Sequence, residues 1–271
     1  MKASGLFFAW MLLVLTLPVS GFSQKKLEVL FAYRPRAFET LQKHVDQVSI
    51  VAPETYVDEN GVDSGKVEPE LLKLAREHGV KVMPQIKNQG FSQEVVHHIL
   101  NDEKARTRTI KSMVDLCKQY GLWGMQVDFE NVHVADKDAL TAFYREAAAA
   151  LKKEGFKISI AVVHRAEESA GPNTYTEWMM ENWRGAYDLQ AVDSLIKHHH
   201  GDPLKWDDKQ KVSYGYIENG GVFEWFFIDN DIRSFEAKLY LAKKYKLRGI
   251  NNWFSGQDDP KIWEGIREFS W

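Results

Sequence analysis

The chain has 271 residues, 44% of them hydrophobic and 27% charged, an ordinary globular composition that excludes long disorder, collagen and coiled coil. With 35 Lys and Arg against 38 Asp and Glu the net charge is −3, which lacks the basic face that phosphate binding wants and excludes nucleic acid as the main partner. A single cysteine, Cys117, excludes an intramolecular disulfide and any Cys₂ or Cys₄ zinc site.

Met1-Lys2, an almost wholly apolar run over Leu6–Pro18, and the small residues Ser20, Gly21 and Ser23 have the layout of a secretory signal peptide covering residues 1–23. The apolar run is short for a spanning helix. The expectation is a secreted or periplasmic protein with no membrane attachment after cleavage. Export without disulfides suits a bacterial periplasm or exterior.

From there one unit recurs: an amphipathic helix, a Gly or basic residue at its end, then a short strand. Leu27–Tyr33 reads as a strand, Phe38–Val45 as a helix and Val48–Ala52 as a strand. Glu68–His78 is a helix ended by Gly79, with a strand beginning at Val80–Pro84. Ala105–Tyr120 ends at Gly121 before the strand Leu122–Phe129, and Asp138–Glu154 ends at Gly155 before Phe156–Val163. Glycine at a helix C-terminus followed by β residues is sound boundary chemistry. Ser194–Trp206 is short and polar. Lys211–Glu218 and Val222–Asp229 form a hairpin around Asn219-Gly220-Gly221. A helix over Ile232–Lys246, a strand over Leu247–Phe254 and a terminal stretch over Asp259–Phe269 close the chain.

Alternating helices and strands predict an α/β domain with a parallel sheet, either doubly wound or a (β/α)₈ TIM-type barrel. No Gly-rich phosphate loop follows the first strand, where Phe31-Ala32-Tyr33-Arg34-Pro35 stands, so the barrel is favoured. The domain expected is a single barrel over residues 24–271 with a hairpin insert at about 205–230. Two strands are missing from a full barrel, in the interval where the helix–strand spacing breaks down.

Gly124-Met125-Gln126-Val127-Asp128-Phe129-Glu130-Asn131 is the most informative stretch. In a strand, Gln126, Asp128 and Glu130 share one face while Val127 and Phe129 pack the other. At the C-terminal end of a barrel strand that polar face points to the mouth, where such folds place chemistry. Two carboxylates about 6–7 Å apart along a strand do not both ionise cheaply in a dry site, so one keeps its proton, as a general acid must. Asp-x-Glu taken alone is equally the pattern of two solvated acids at a strand end.

With its neighbours, this segment resembles the strand-four signature Asp-x-x-Asp-x-Asp-x-Glu of family-18 glycoside hydrolases, the chitinase-like enzymes. Its Asp-Phe-Glu-Asn core is most similar to the bacterial spore-cortex peptidoglycan hydrolase group. Ala52-Pro53 through Gly61, Val82-Met83-Pro84 with Asn88, and Ala237–Trp253 running into Gly256–Trp263 carry the same resemblance. It implies that Glu130 is the general acid and that Asp128 orients the substrate's 2-acetamido group, whose oxygen is the nucleophile of a retaining, substrate-assisted mechanism. The carboxylate-spacing rule for other retaining glycosidases then does not apply. By the same resemblance Trp253 would floor the sugar site, Tyr33 would be an aromatic near it, and Gln126, Asn131 and Asn88 would make sugar or network contacts. The substrate implied is a polysaccharide or oligosaccharide of β-linked N-acetylglucosamine, in peptidoglycan or chitin. The oligomeric state stays open.

The sequence departs from the family at three places. Trp123 and Gln126 replace the first two Asp of the signature. The family's strand-six Met-Tyr-Asp segment has no counterpart, since Tyr187-Asp188 stands in a helical context. Strand seven is also unmatched. These gaps read as an internal deletion near residues 192–193, which keeps a glycan-binding lectin and a chain that folds poorly alone open beside the hydrolase.

Other features have plain readings. His198-His199-His200 point in different directions, with no second set of ligands to complete a metal site, and no cofactor motif is present. Trp178, Trp183 and Trp263 read as core, while Trp206 and Trp225 are divided between packing and sugar stacking. Cys117 lies on a buried helical stripe. Lys243, Lys244, Lys246 and Arg248 suit a solvated helix C-terminus.

Overall fold

A computed structural model describes residues 27–58, 60–62, 67–162, 194, 197, 204–229, 231–252, 255–256 and 259–269. The leader, Trp178, Trp183, Tyr187-Asp188, His198–His200, Trp253 and the residue 192–193 junction lie outside the described residues.

The elements in chain order begin with β1 (Glu28–Tyr33), α1 (Phe38–His44), β2 (Ile50–Asp58) and β3 (Gly61–Val62). They continue with α2 (Pro69–Glu77), β4 (Lys81–Val82), β5 (Gln85–Asn88), α3 (Gln93–Asn101) and α4 (Glu103–Tyr120). Then come β6 (Gly124–Val127), α5 (Lys137–Lys153), β7 (Lys157–Ile160), β8 (Lys205–Asp207), β9 (Val212–Asn219) and β10 (Val222–Ile228). The last are α6 (Ile232–Lys244), β11 (Gly249–Asn252) and α7 (Ile262–Glu268).

The main sheet runs β11-β1-β2-β5-β6-β7 with every neighbouring pair parallel. β4 also pairs with β2 in parallel, so β4 and β5 are one strand interrupted at Met83-Pro84. Strand order follows chain order without the reversal that defines a doubly wound sheet. The last strand lies beside the first, as in a barrel. Among the described residues no strand joins β7 to β11, so the fold is a (β/α)₈ TIM-type barrel, incomplete, as expected from the missing units.

Strand alternation builds the two layers. Val29, Phe31, Val51, Ile86, Met125 and Val127 pack outward into one hydrophobic core with Leu41, Leu71, Ile99, Met113, Phe143 and Leu151 of the surrounding helices. The alternate residues face the barrel interior. Gly124 permits the close β6–β7 approach: a Cβ there would lie 2.1 Å from the Lys157 carbonyl oxygen. Trp263 stacks on His44, with ring centroids 4.5 Å apart, and Cys117 is buried, its thiol pushed up to about 12 by burial. Both are core residues. The end of α6 is less simply solvated than its charges imply, because Arg248 pairs with Glu28 at 2.6 Å. Lys246, at φ 51°, takes the left-handed turn that glycine makes after α2, α4 and α5.

Two elements beside the site exceed the sequence expectation. β2 continues through Pro53 to Asp58, although proline argues against a strand interior. α3 was not expected at all; Ser92 caps it, accepting from Val95 N–H at 3.2 Å. The hairpin forms as expected, its turn at Gly220 and Gly221 with φ of 60° and 82°. β8 extends it into a three-stranded antiparallel sheet.

Candidate active site

The polar face of β6 lines up as read from the sequence. Gln126 ends inside the barrel, and Asp128 and Glu130 follow at the mouth. The β5–β6 ladder runs one step past the strand, Asp128 N–H donating to the Ile86 carbonyl at 2.9 Å. One residue pair further on, a side chain takes over the role of a strand. The Asn88 amide accepts from Glu130 N–H at 2.9 Å and donates to the Glu130 carbonyl at 3.1 Å. Glu130 is thus fixed at its own backbone. The chain then turns sharply at Asn131, whose φ is 58°, a conformation Asn tolerates. Gln93 donates to the Asn131 carbonyl at 3.1 Å, and Asn131 Nδ2 donates to the Phe91 carbonyl at 3.3 Å. α3 therefore buttresses the loop that carries the acid. A second tie lies further along that loop, where His97 and Asn101 each reach Asp136 at 2.9 Å.

A chain of charges crosses the mouth. Arg34, past the end of β1, donates to Glu54 of β2 through Nε at 3.1 Å and Nη2 at 3.0 Å. Lys87 of β5 donates to the same Glu54 oxygen at 2.9 Å and lies 3.7 Å from Asp128 Oδ2. Tyr56 donates to the other Glu54 oxygen at 3.4 Å. Burial pushes Glu54 up, but Lys87 and Arg34 outweigh it and hold the carboxyl below its ordinary value. Burial raises Asp128; Lys87, shared with Glu54, only partly offsets this, and Glu54 adds to the rise. Burial also raises Glu130, and the neighbouring Asp128 charge raises it further. Among Arg34, Glu54, Lys87, Asp128 and Glu130 there are two cations and three carboxylates, so one proton neutralises the cluster. A proton donor poised beside a carboxylate is what the arrangement supplies.

Of the residues expected to make sugar or network contacts, Asn88 and Gln126 make network contacts, while Tyr33, expected near the sugar, turns outward. Asn88 is 0% exposed and has no surface to offer a ligand; it positions Glu130. Gln126 is buried with both amide ends engaged, accepting from Gln85 at 2.8 Å and donating to Ser159 at 3.2 Å. Tyr33 shares the outward face of Val29 and Phe31, so it points into the helix layer, and its hydroxyl donates to Glu68 at 2.5 Å. Asn131 stays half-buried at the turn, and Trp253 lies outside the described residues.

The sequence reading missed Glu54, Lys87, Arg34 and Tyr56. The signal for Lys87 was present: in Gln85-Ile86-Lys87-Asn88, Ile86 must face the core, which turns Gln85 and Lys87 into the barrel. Glu54 and Tyr56 were hidden because the strand expected over Val48–Ala52 stops before Pro53, whereas β2 runs on to Asp58.

Known proteins place this geometry in a family. The sequence profile of the glycosyl hydrolases family 18 matches residues 28–181. The putative sporulation-specific glycosylase YdhD of Bacillus subtilis (strain 168) is 30% identical over 109 residues, 40% of this chain and 23% of that protein. The cortical fragment-lytic enzyme of the same organism is 23% identical over 67% of this chain and 58% of its own length. The chain therefore spans well under two thirds of either relative. In fold it is similar to the spore cortex-lytic enzyme SleL of Bacillus megaterium QM B1551, with a TM-score of 0.72, 18% identity, and coverage of 90% of this chain and 74% of that one. A chitinase from Chromobacterium violaceum ATCC 12472 aligns with a TM-score of 0.75 at 16% identity, over 89% of this chain and 98% of that one. With the family profile matched over more than half its length, the chain belongs to glycosyl hydrolases family 18.

Proposed function

We propose that the chain is an exported glycoside hydrolase acting on β-linked N-acetylglucosamine in peptidoglycan or chitin. The observation that carries this reading is the placement of Glu130 beside Asp128 at the barrel mouth, in a half-buried charge cluster short of one proton. Family membership supports glycan hydrolysis. Likeness to a cortical fragment-lytic enzyme and to the spore cortex-lytic enzyme SleL favours a cell-wall glycan, and likeness to the Chromobacterium chitinase favours chitin. The apolar leader at residues 6–18 supports export.

In this mechanism Glu130 gives its proton to the glycosidic oxygen as the bond to the anomeric carbon breaks. The acetamido oxygen of the same sugar forms the new bond to that carbon, and Asp128 orients the acetamido group and stabilises its developing positive charge. Glu130, now a carboxylate, then takes a proton from the water that attacks the anomeric carbon and displaces the acetamido oxygen. The anomeric configuration is retained.

The test is hydrolysis of N-acetylglucosamine oligomers and of purified peptidoglycan by residues 24–271, with Glu130→Gln alongside. Loss of the general acid should lower kcat by about 10²–10⁴-fold, and proton NMR of the first product should show the retained anomer. Turnover unchanged in Glu130→Gln would overturn the assignment. A second reading, glycan binding without cleavage, is favoured by the sheet remaining open between β7 and β11 among the described residues. A wild-type protein that melts cooperatively, binds the oligomers and releases no product would establish it.

A further inference from the structure

We propose that Lys87 decides which of the two mouth carboxylates carries the proton: its ammonium holds Asp128 as the carboxylate and leaves the proton on Glu130. The inference rests on the hydrolase reading for its kinetic consequence, but not for its physical content. Lys87 is 1% exposed, one of the largest fully buried side chains. A lysine is rarely buried unless its charge is answered. Here Glu54 answers it at 2.9 Å and Asp128 at 3.7 Å, while no ion pair joins it to Glu130 among the described contacts. Attraction falls with distance, so the ammonium favours ionisation of Asp128 over ionisation of Glu130.

The remaining neighbours do not compete for this role. Facing the pair are Arg34 from the end of β1, Glu54 and Tyr56 from β2, and Gln85 and Lys87 from β5. Among the described residues, Gln126 of β6 and Ser159 of β7 complete the set. Arg34 is spent on Glu54 through two nitrogens. Tyr56 also turns to Glu54. Gln126 stands where the family signature has an Asp, and its amide is engaged with Gln85 and Ser159, so it brings no charge. Glu54 in turn keeps Lys87 aimed across the barrel. The order of charges, from Arg34 to Glu54 to Lys87 to Asp128, ends on the residue that must stay ionised, next to the one that must not.

The experiment is a carbon-13 NMR titration of the Asp128 and Glu130 carboxyls in the wild type and in Lys87→Met. In the wild type Glu130 should hold its proton to higher pH than Asp128. In Lys87→Met the Asp128 midpoint should rise by about one unit or more, and by more than the Glu130 midpoint, because a cation in contact holds a carboxyl down by about 1–3 units. In kinetics, the acid limb of the kcat/KM profile should move up with Asp128 while KM changes less than about twofold. Lys87→Arg should restore the limb. Should Lys87→Met fail to fold because Glu54 loses a partner, Glu54→Gln with Lys87→Met removes both charges together and should give a smaller rise in the same direction. An Asp128 midpoint that stays put, or rises no more than that of Glu130, overturns the proposal. A wild type without turnover would overturn the hydrolase reading, while the titration would still decide the role of Lys87.

Discussion

The barrel mouth and the three-stranded sheet invert each other. At the mouth, polar groups are buried and partnered: Gln85 with Gln126, Asn88 with Glu130, Lys87 with Glu54. On the sheet, apolar rings are exposed: Phe223 at 57%, Trp225 at 56% and Phe227 at 72%, in alternate positions along β10. Across from them on β9 stand Tyr216, paired with Trp225, and Tyr214, paired with Phe227. The opposite face of the sheet has a small apolar core, Ile217 and Ile228 with Leu204 and Phe226 packed against them. Directional bonds in a low-dielectric site fix atoms tightly, whereas rings on an open face hold one another by weak stacking. The difference separates where the molecule keeps geometry from where it keeps surface, and the chemistry sits with the geometry.

The sharpest way to break that contrast is at Asn88. Asn88→Ala leaves the Glu130 N–H and C=O without the side chain that completes the ladder. Each stranded buried group costs about 1–3 kcal/mol, and misplacement of the acid by an ångström should lower kcat by about 10²-fold with KM little changed. Stopped assays beside a denaturant titration check both numbers. If kcat held while stability fell, Asn88 would be a fold residue and the positioning role would be lost.

The mouth should also show in stability against pH, with opposite signs at two residues. Glu130 is raised in the fold, chiefly by burial and then by Asp128. Its favourable contribution is complete below the unfolded value, near about 4.3, and is lost as pH climbs through the folded one. Glu54 is lowered because Lys87 and Arg34 outweigh burial, so its contribution is present above the unfolded value and is lost as pH falls through the folded one. Glu130→Gln should therefore melt increasingly above the wild type from pH 4 to pH 8, by about 2–4 °C for each kcal/mol. Glu54→Gln should melt below the wild type at pH 7, and the gap should close on acidification. Parallel melting curves for the two variants would mean that the cluster is not electrostatically coupled.

How far the sequence reached follows the same physics. Strand–helix alternation, the glycine-ended helices and the polar face of β6 are local patterns, so they were legible, and so was the gap between β7 and β11 among the described residues. The inward face of Lys87 was legible in its own segment, but its pairing with Glu54 was not, because that contact joins β2 to β5 and no single segment carries it. Tyr33 was misplaced for a related reason. Resemblance named an aromatic near the sugar, but the register of Val29, Phe31 and Tyr33 turns the ring outward and gives the inward place to Arg34. α3 escaped because its apolar stripe, Val96, Ile99 and Leu100, is short and is followed at once by α4.

The smallest expected effects lie on the sheet and complete the contrast. Trp225→Ala removes a half-exposed ring that touches Tyr214 and Tyr216, and should change global stability by less than about 0.5 kcal/mol. Ile217→Ala empties part of the small core, and a cavity there should cost about 2 kcal/mol or more. That cost should appear locally. Hydrogen exchange of the β9–β10 amides should quicken while the amides bonded across β5 and β6 keep their protection, since among the described residues the small core is tied to the barrel through α6 and its N-cap, by Ser213–Asp231, Ile228–Ser234 and Asp229–Lys238, and opens by itself. Exchange that quickened equally in both regions would mean that the sheet and the mouth unfold as one unit, and the separation of surface from geometry would fail.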